Sequence, residues 1–232
     1  MSKKYKGKTC VYCAQEPSTT ADHVVAREFF LKQHRDNLPK VPACGECNSE
    51  KSRLEHYLTT ILPFGGQHPD AQHNLQTMIP KRIHRNMKLR EEVLQSMQSS
   101  RGTSIQIDPE KFESLFIYIA KGLAWYHWEI LLNSDCTARV ATISDAGIPL
   151  VNSLFDMKAS NHIEMNLCQT FFYEGMQANA PLELTLWKMS MYNASFVSPI
   201  KGADGNQFGS QVIVLTGPSK YIQSRLPQIF KS

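Results

Sequence analysis

Three short stretches near the start of the chain decide the fold: Cys10-Val-Tyr-Cys13, Asp22-His23, and Cys44-Gly-Glu-Cys47 with Asn48 directly behind it. The two Cys-x-x-Cys pairs are separated by 30 residues. Two pairs at this spacing indicate a tetrahedral zinc site before they indicate disulfides. Four thiolates leave no open position on the metal, so the ion bound by Cys10, Cys13, Cys44 and Cys47 is expected to be structural. A segment this short buries little core, and such a clamp stabilises it.

The polar residues between and behind the cysteine pairs carry the chemical information. Asp22 and His23 lie in Ala21-Asp-His-Val-Val25, whose β-branched residues predict a short strand. A helix is expected from Asn48, because apolar residues then recur at helical spacing up to Leu62. The alternatives are a capping Asp beside a surface His and an Asn that only caps the helix.

In this order, the cysteine pairs, Asp22-His23, Asn48 and Lys51 resemble the HNH endonucleases. The similarity is greatest to the zinc-bearing kind found in phage recombination endonuclease VII and in stand-alone bacterial HNH proteins. It covers residues 8–62, roughly a quarter of the chain. The resemblance implies a ββα-metal fold in which His23 is the general base and Asp22 and Asn48 bind a catalytic Mg²⁺ or Mn²⁺.

The chemistry of phosphodiester hydrolysis suits these residue types. An imidazole with a pKa near ~6.5 takes a proton at neutral pH, and carboxylate and amide oxygens are hard ligands for Mg²⁺ or Mn²⁺. The chain departs from the family pattern once: Pro39 stands where many members have an Asn that steadies the base-bearing loop. Either Asn37 substitutes for that residue or the role is vacant.

Positive charge is concentrated in the first half of the chain. Residues 1–105 carry 16 Lys and Arg against 10 Asp and Glu, a net charge of +6, whereas residues 106–232 carry 9 against 11, a net charge of −2. A polyanion such as DNA is therefore expected on the first half. The candidate phosphate contacts are Arg27, Lys51, Arg53, His56, Lys81, Arg82, Arg85 and Lys88. A solvated basic face is the alternative.

The expected fold class is α+β with three parts. Residues 1–65 are expected to form the zinc-bound ββα-metal unit, residues 66–105 a basic helical connector, and residues 106–232 a C-terminal α+β domain. A polar linker is expected over residues 63–74. Asp108-Pro109-Glu110 predicts the start of a long helix reaching Leu132. Alternating apolar residues over 163–167 and 182–186 predict strands of a small antiparallel sheet packed on that helix.

Composition fits a folded cytoplasmic protein. The chain is 42% hydrophobic and 20% charged, no apolar run reaches the ~18–20 residues of a membrane span, and the basic start lacks the apolar core of a signal peptide. Cys136 and Cys168 are interpreted as buried apolar residues.

The resemblance implies metal-dependent cleavage of DNA, and the stand-alone HNH proteins that the chain resembles often serve anti-phage defence. Two alternatives stay open at this point. One is a zinc-knuckle DNA-binding or adaptor module that does not cleave. The other is a nuclease subunit that becomes active when a partner protein docks on residues 106–232. A homodimer is compatible with each.

Overall fold

The computed structural model describes residues 4–98, 105–143, 147–156, 161–194, 196–199 and 206–225. The end of the expected connector, residues 99–104, lies outside these ranges. The helices are Gly45–Ile61 (α1), Pro69–Thr77 (α2), Ile79–Arg85 (α3), Met87–Gln98 (α4), Pro109–Trp128 (α5), Ile148–Phe155 (α6) and Ser219–Arg225 (α7). The strands are Thr20–His23 (β1), Lys40–Ala43 (β2), Cys136–Ile143 (β3), Asn161–Leu167 (β4), Phe171–Gln177 (β5), Thr185–Met191 (β6), Phe196–Pro199 (β7), Asn206–Gly209 (β8) and Gln211–Pro218 (β9).

The first unit runs strand, strand, helix. β1 and β2 pair antiparallel, with Thr20 opposite Ala43 and His23 opposite Lys40, and α1 follows β2 directly. α1 begins at Gly45, before the expected start at Asn48, because the Cys44 thiol caps the helix by accepting a hydrogen bond from the Cys47 N–H.

Helices also occupy the stretch where a polar linker was expected, so that prediction is wrong for residues 69–74. α2 starts there because Pro69 suits the first helical position and the His68 ring accepts a hydrogen bond from the Asp70 N–H. The basic run forms α3 and the first turn of α4. The two helices are separated at Asn86, whose backbone is extended and whose side-chain oxygen accepts from the Leu89 N–H.

The long helix α5 confirms the capping prediction at its start. The Asp108 carboxylate accepts hydrogen bonds from the N–H groups of Glu110 and Lys111. The helix ends at Trp128 instead of reaching Leu132, because Glu129 takes a left-handed conformation with φ of 54°.

Helix α5 also packs closely on the end of β1. A Cβ atom at Gly122 would lie 2.9 Å from a methyl carbon of Val24, two residues beyond Asp22, so only glycine permits this approach. The candidate residues on β1 are therefore supported by a helix from the second half of the chain.

A five-stranded antiparallel sheet follows, in the order β3-β9-β6-β5-β4. The expected mixture of helices with a small antiparallel sheet is confirmed, although β3 and β5 lack a clear alternation and were not predicted. The Trp128 ring of α5 stacks on Trp187 of β6 with centroids 4.9 Å apart, and His127 shares a hydrogen bond of 2.9 Å with the Tyr173 hydroxyl. These contacts hold the sheet on α5.

A single cluster of buried apolar residues joins the first unit, α5 and the sheet, including Val24, Phe116 and Trp187. The interpretation of the two isolated cysteines is wrong: Cys168 is exposed, in a turn with φ of 53°, and Cys136 is only half-buried. The turn at Cys168 and the strand position of Cys136 leave the two side chains accessible, although apolar residues surround them in the sequence.

Candidate functional site

The four cysteines of the two pairs converge on one point. Their Sγ atoms all lie within 4.8 Å of one another. Tetrahedral coordination at a Zn–S distance of about 2.3 Å places sulfurs roughly 3.8 Å apart, so small adjustments suffice to hold zinc. Backbone N–H groups of Glu16 and Cys47 point at the Sγ atoms of Cys13 and Cys44 at 3.5 Å, as sulfur ligands in knuckle turns require. The geometry fits a structural zinc site.

The thiols of this cluster differ in their pKa shifts. Burial raises the pKa of the Cys10 thiol, and burial together with the neighbouring thiols raises that of Cys47. Against the effect of burial, backbone N–H groups lower the pKa of Cys13. Without a divalent ion Cys10 and Cys47 therefore stay protonated, whereas a bound metal would stabilise the thiolates. Within the described ranges, no other group of three or more His, Cys, Asp or Glu side chains approaches this closely.

Asp22 lies beside the cysteine cluster on β1, with its side chain only 10% exposed. Its Oδ2 atom accepts a hydrogen bond of 2.5 Å from the Tyr12 hydroxyl and pairs with the Lys51 ammonium at 2.9 Å. Oδ1 forms no hydrogen bond or ion pair with a described residue, and it is not among the fully buried atoms that lack a partner. The described residues thus hold one carboxylate oxygen and leave the other without a hydrogen-bond donor.

The ammonium of Lys51 is completely buried. It donates to the backbone oxygen of His23 at 2.7 Å and forms ion pairs with Asp22 and with Glu55, one helical turn further along α1. Burial raises the pKa of Glu55 to about 7 even though Lys51 opposes the shift. Lys51 therefore differs from the exposed phosphate contact expected from the sequence. Its position suits a clamp on Asp22 and on the backbone of His23.

The imidazole of His23 is half-buried at the end of β1 and makes no hydrogen bond with any residue that the structure describes. Its pKa is lowered to about 4, first by burial and then by the positive charges of Lys40 and Arg27. The ring is therefore neutral at neutral pH, and it is a weaker base than the pKa near ~6.5 expected from the sequence would make it.

Asn48 lies on the first turn of α1, near Lys51 in sequence. Its N–H donates to the Cys44 carbonyl at 3.1 Å, and its half-buried amide makes no side-chain hydrogen bond within the described part of the chain. The alternative that Asn48 caps the helix is wrong, since Cys44 is the capping residue. Asn37 is exposed in a left-handed turn with φ of 60°, where it forms no hydrogen bond to described residues.

The remaining candidate phosphate contacts fall into two groups. Arg27, Arg53 and Lys88 are exposed and make no ion pair with described residues. The other group lines one open cavity between α1 and α3 and consists of His56, Lys81, Arg82 and Arg85. The structure therefore brings together four residues that are up to 29 positions apart in sequence.

Sequence reasoning missed Tyr12 and Lys40 as parts of this site. Tyr12 stands inside the first cysteine pair, where its proximity to Asp22 follows only if the zinc knuckle folds against β1. Lys40 is opposite His23 in the β1–β2 register, a relation that depends on the pairing. The i, i+4 spacing of Lys51 and Glu55 was the one local signal of an ion pair.

Comparisons with protein-family models, curated proteins and solved structures give no match to this chain. Among the described residues, no helix is both long and apolar enough to cross a membrane.

Proposed function

We propose that this chain is a metal-dependent endonuclease of the HNH class that hydrolyses phosphodiester bonds in DNA. The observation that carries the proposal is the arrangement around β1, where a neutral His23 ring follows Asp22 in the strand. Neither the His23 ring nor Oδ1 of Asp22 forms a hydrogen bond with a residue that the structure describes. Both residues belong to a strand–strand–helix unit joined by four converging cysteines.

The catalytic roles follow from what each side chain can do. His23 is the general base and takes a proton from the attacking water, because its ring is neutral and forms no hydrogen bond within the described part of the chain. Asp22 and Asn48 supply oxygen ligands, and Lys51 with Tyr12 fix the Asp22 carboxylate in one orientation. A bound Mg²⁺ or Mn²⁺ would stabilise the charge that develops on the phosphate and on the leaving oxygen. Arg27 and Lys40 place positive charge near His23 and attract the phosphate.

The test is cleavage of plasmid DNA with Mg²⁺ or Mn²⁺ by the parent protein and by His23→Ala. We expect the variant to cut ~10²–10⁴-fold more slowly, since it loses proton transfer, and to retain zinc and DNA binding. The matched control is His73→Ala on α2, because His73 is exposed and its ring has no partner among the described residues. Equal cleavage by His23→Ala and the parent would show that the assignment is wrong.

Asp22→Ala and Asn48→Ala test the metal ligands separately. Both should lose cleavage through weaker metal binding, so a higher Mn²⁺ concentration should partly restore activity, whereas it should not restore His23→Ala. All three variants keep the cysteines, and zinc content should therefore equal that of the parent.

One observation favours a second candidate, a zinc-knuckle module that binds DNA without cutting it. Lys51 already neutralises Asp22, so the carboxylate is satisfied without a catalytic metal. Parent protein that binds DNA but leaves plasmid intact with each metal would favour this candidate. Activation by a partner protein on residues 106–232, a role in anti-phage defence and a homodimer stay predictions.

A further inference from the structure

An open cavity of about 410 Å³ lies between the second half of α1 and the basic helix α3. Apolar carbon atoms form most of its surface, and the polar groups at it come from cationic or amide side chains; the lining residues are His56, Met78, Lys81, Arg82, Arg85 and Asn86. No acidic side chain is among them. The cavity is distinct from the group around Asp22 and His23, and its chemistry suits an anion.

Arg82 is the fixed element of this cavity. Its half-buried guanidinium donates to the hydroxyls of Thr59 and Thr60 on α1, and no described carboxylate lies within 4.0 Å of it. Burial lowers the pKa of Arg82, which shows that its charge is kept at a cost. A guanidinium held by neutral hydroxyls keeps donors and net charge available for a ligand.

Further positive charge surrounds it. Lys81 and Arg85 are both exposed and stand four residues apart on α3, where like charges destabilise the helix. The acidic group whose charge acts on both Arg82 and His56 is Glu28, and Arg35 opposes its effect on Arg82. The local charge therefore remains positive.

A polar pair, His56 and Asn86, also lines the cavity. Nδ2 of Asn86 donates to Nε2 of His56 at 3.4 Å, while Oδ1 of Asn86 accepts from the Leu89 N–H and so fixes the amide. The His56 ring is neutral near pH 7 because burial and then the charge of Arg82 lower its pKa. Its other nitrogen can therefore donate to an oxygen of a ligand.

The position of the cavity relative to Asn48 can be worked out along α1. His56 is eight residues beyond Asn48 and Thr59 is eleven, which corresponds to about 12 and 16 Å at a rise of ~1.5 Å per residue. A nucleic acid strand advances ~3.4 Å along the duplex axis per nucleotide. For a duplex whose axis runs parallel to α1, these distances correspond to about four or five nucleotides.

We propose that this cavity binds a phosphate group of a nucleic acid strand, about four or five nucleotides from the phosphate held at Asp22 and His23. Phosphate binding by the cavity stands independently of cleavage, and the distance in nucleotides rests on the proposed function. Free phosphate has the same chemistry, so the experiment has one arm for each source.

The first arm measures binding of a duplex oligonucleotide to His23→Ala without added Mg²⁺ or Mn²⁺, as a function of salt. Lys81→Gln/Arg85→Gln in this background changes only exposed side chains, so folding should be preserved. We expect affinity to fall about tenfold at low salt. The negative slope of log K against log salt should become shallower by about 1. Arg139→Gln is the matched control, because Arg139 is exposed on β3 and has no ion pair with described residues.

The second arm titrates inorganic phosphate into the same proteins and follows the His56 ring by NMR. Saturable shifts in the parent that are lost in Lys81→Gln/Arg85→Gln support the site. If inorganic phosphate binds while the salt slope for the oligonucleotide equals that of Arg139→Gln, the cavity is a free-phosphate site and the proposal is wrong. An unchanged slope without phosphate binding also overturns it.

The distance is tested with cleavage substrates of decreasing length. Removing nucleotides until fewer than about four remain on one side of the cut should abolish the difference between parent and Lys81→Gln/Arg85→Gln. Substrates of every length showing the same difference would refute the spacing. If the parent never cuts DNA but the salt slopes differ as expected, the cavity proposal holds and the nuclease proposal fails.

Discussion

Replacing Lys51 with methionine removes a fully buried ammonium while keeping a long apolar stem. In the parent, the three N–H donors of Lys51 meet three oxygens, those of Asp22, Glu55 and the His23 backbone. The variant leaves two carboxylates close together with no cation between them. Breaking a buried ion pair by removing one partner typically costs ~3–5 kcal/mol. We expect a loss of this size, which is a large fraction of the ~5–15 kcal/mol of a typical domain.

The assay is urea unfolding followed by circular dichroism at fixed zinc concentration, extrapolated to water. Arg53→Met is the matched control: Arg53 is on the same helix but exposed, so its free energy of unfolding should change by less than about 0.5 kcal/mol. A Lys51→Met variant as stable as Arg53→Met would refute the claim that Lys51 holds Asp22 and Glu55 together.

A double-mutant cycle with Glu55→Gln identifies the partner. Glu55→Gln alone leaves Lys51 paired with Asp22 at 2.9 Å, so it should cost less than Lys51→Met. In the double variant one of the two unpaired carboxylates is gone, and the combined loss should be smaller than the sum of the single losses. Strict additivity would mean that Lys51 and Glu55 do not interact.

Two further predictions concern zinc and pH. Metal analysis should find about one zinc per chain, and Cys44→Ser should lower thermal stability strongly while exposed Cys168→Ser leaves it unchanged; a zinc-free folded parent would contradict this. Burial raises the pKa of Glu174, but hydrogen bonds from Lys188 and His162 lower it by a larger amount, so the net shift is downward. The ionised Glu174 side chain therefore stabilises the folded protein fully above the pKa of this group in the unfolded chain. That stabilisation is lost as the pH falls through the lower pKa of Glu174 in the folded protein. The loss of unfolding free energy in Glu174→Gln relative to the parent should thus be larger at pH 7 than near pH 4, and equal losses would count against the ion pair.

The parts of the fold that the sequence predicted are those with strong local signals. Asp108 followed by Pro109 marks the start of α5 because capping and proline geometry act within a few residues. β4 was predicted because its apolar residues alternate. β5 was not predicted, since apolar or small residues occupy both of its faces from Phe171 to Gly175, with Glu174 as the exception. The burial of Glu174 depends on its ion pair with Lys188 of the neighbouring strand.

The candidate site likewise contains one feature that the sequence predicted and others that it did not. The cysteine cluster follows from spacing, because two Cys-x-x-Cys turns each preset a pair of sulfurs. The role of Lys51 does not follow, since its position on a helix with Glu55 at i+4 equally suits a solvated ion pair. Only the packing of α1 against β1 buries its ammonium and brings it to Asp22. The cavity around Arg82 is likewise a product of how α3 packs on α1.

The four-cysteine clamp and the candidate catalytic carboxylate are connected through the chain. Tyr12 lies between the first two cysteines, and Lys51 lies four residues after Cys47, so the two groups that hold Oδ2 of Asp22 come from the two segments that the cysteines join. If the cysteines separate, we expect the Tyr12 contact to loosen first, because α1 stays joined to β1 through the β1–β2 ladder. The orientation of Asp22 therefore depends on the clamp, although no cysteine touches the carboxylate. In the proposed nuclease, the same four sulfurs that stabilise the unit would therefore also help to orient the Asp22 carboxylate toward a cation.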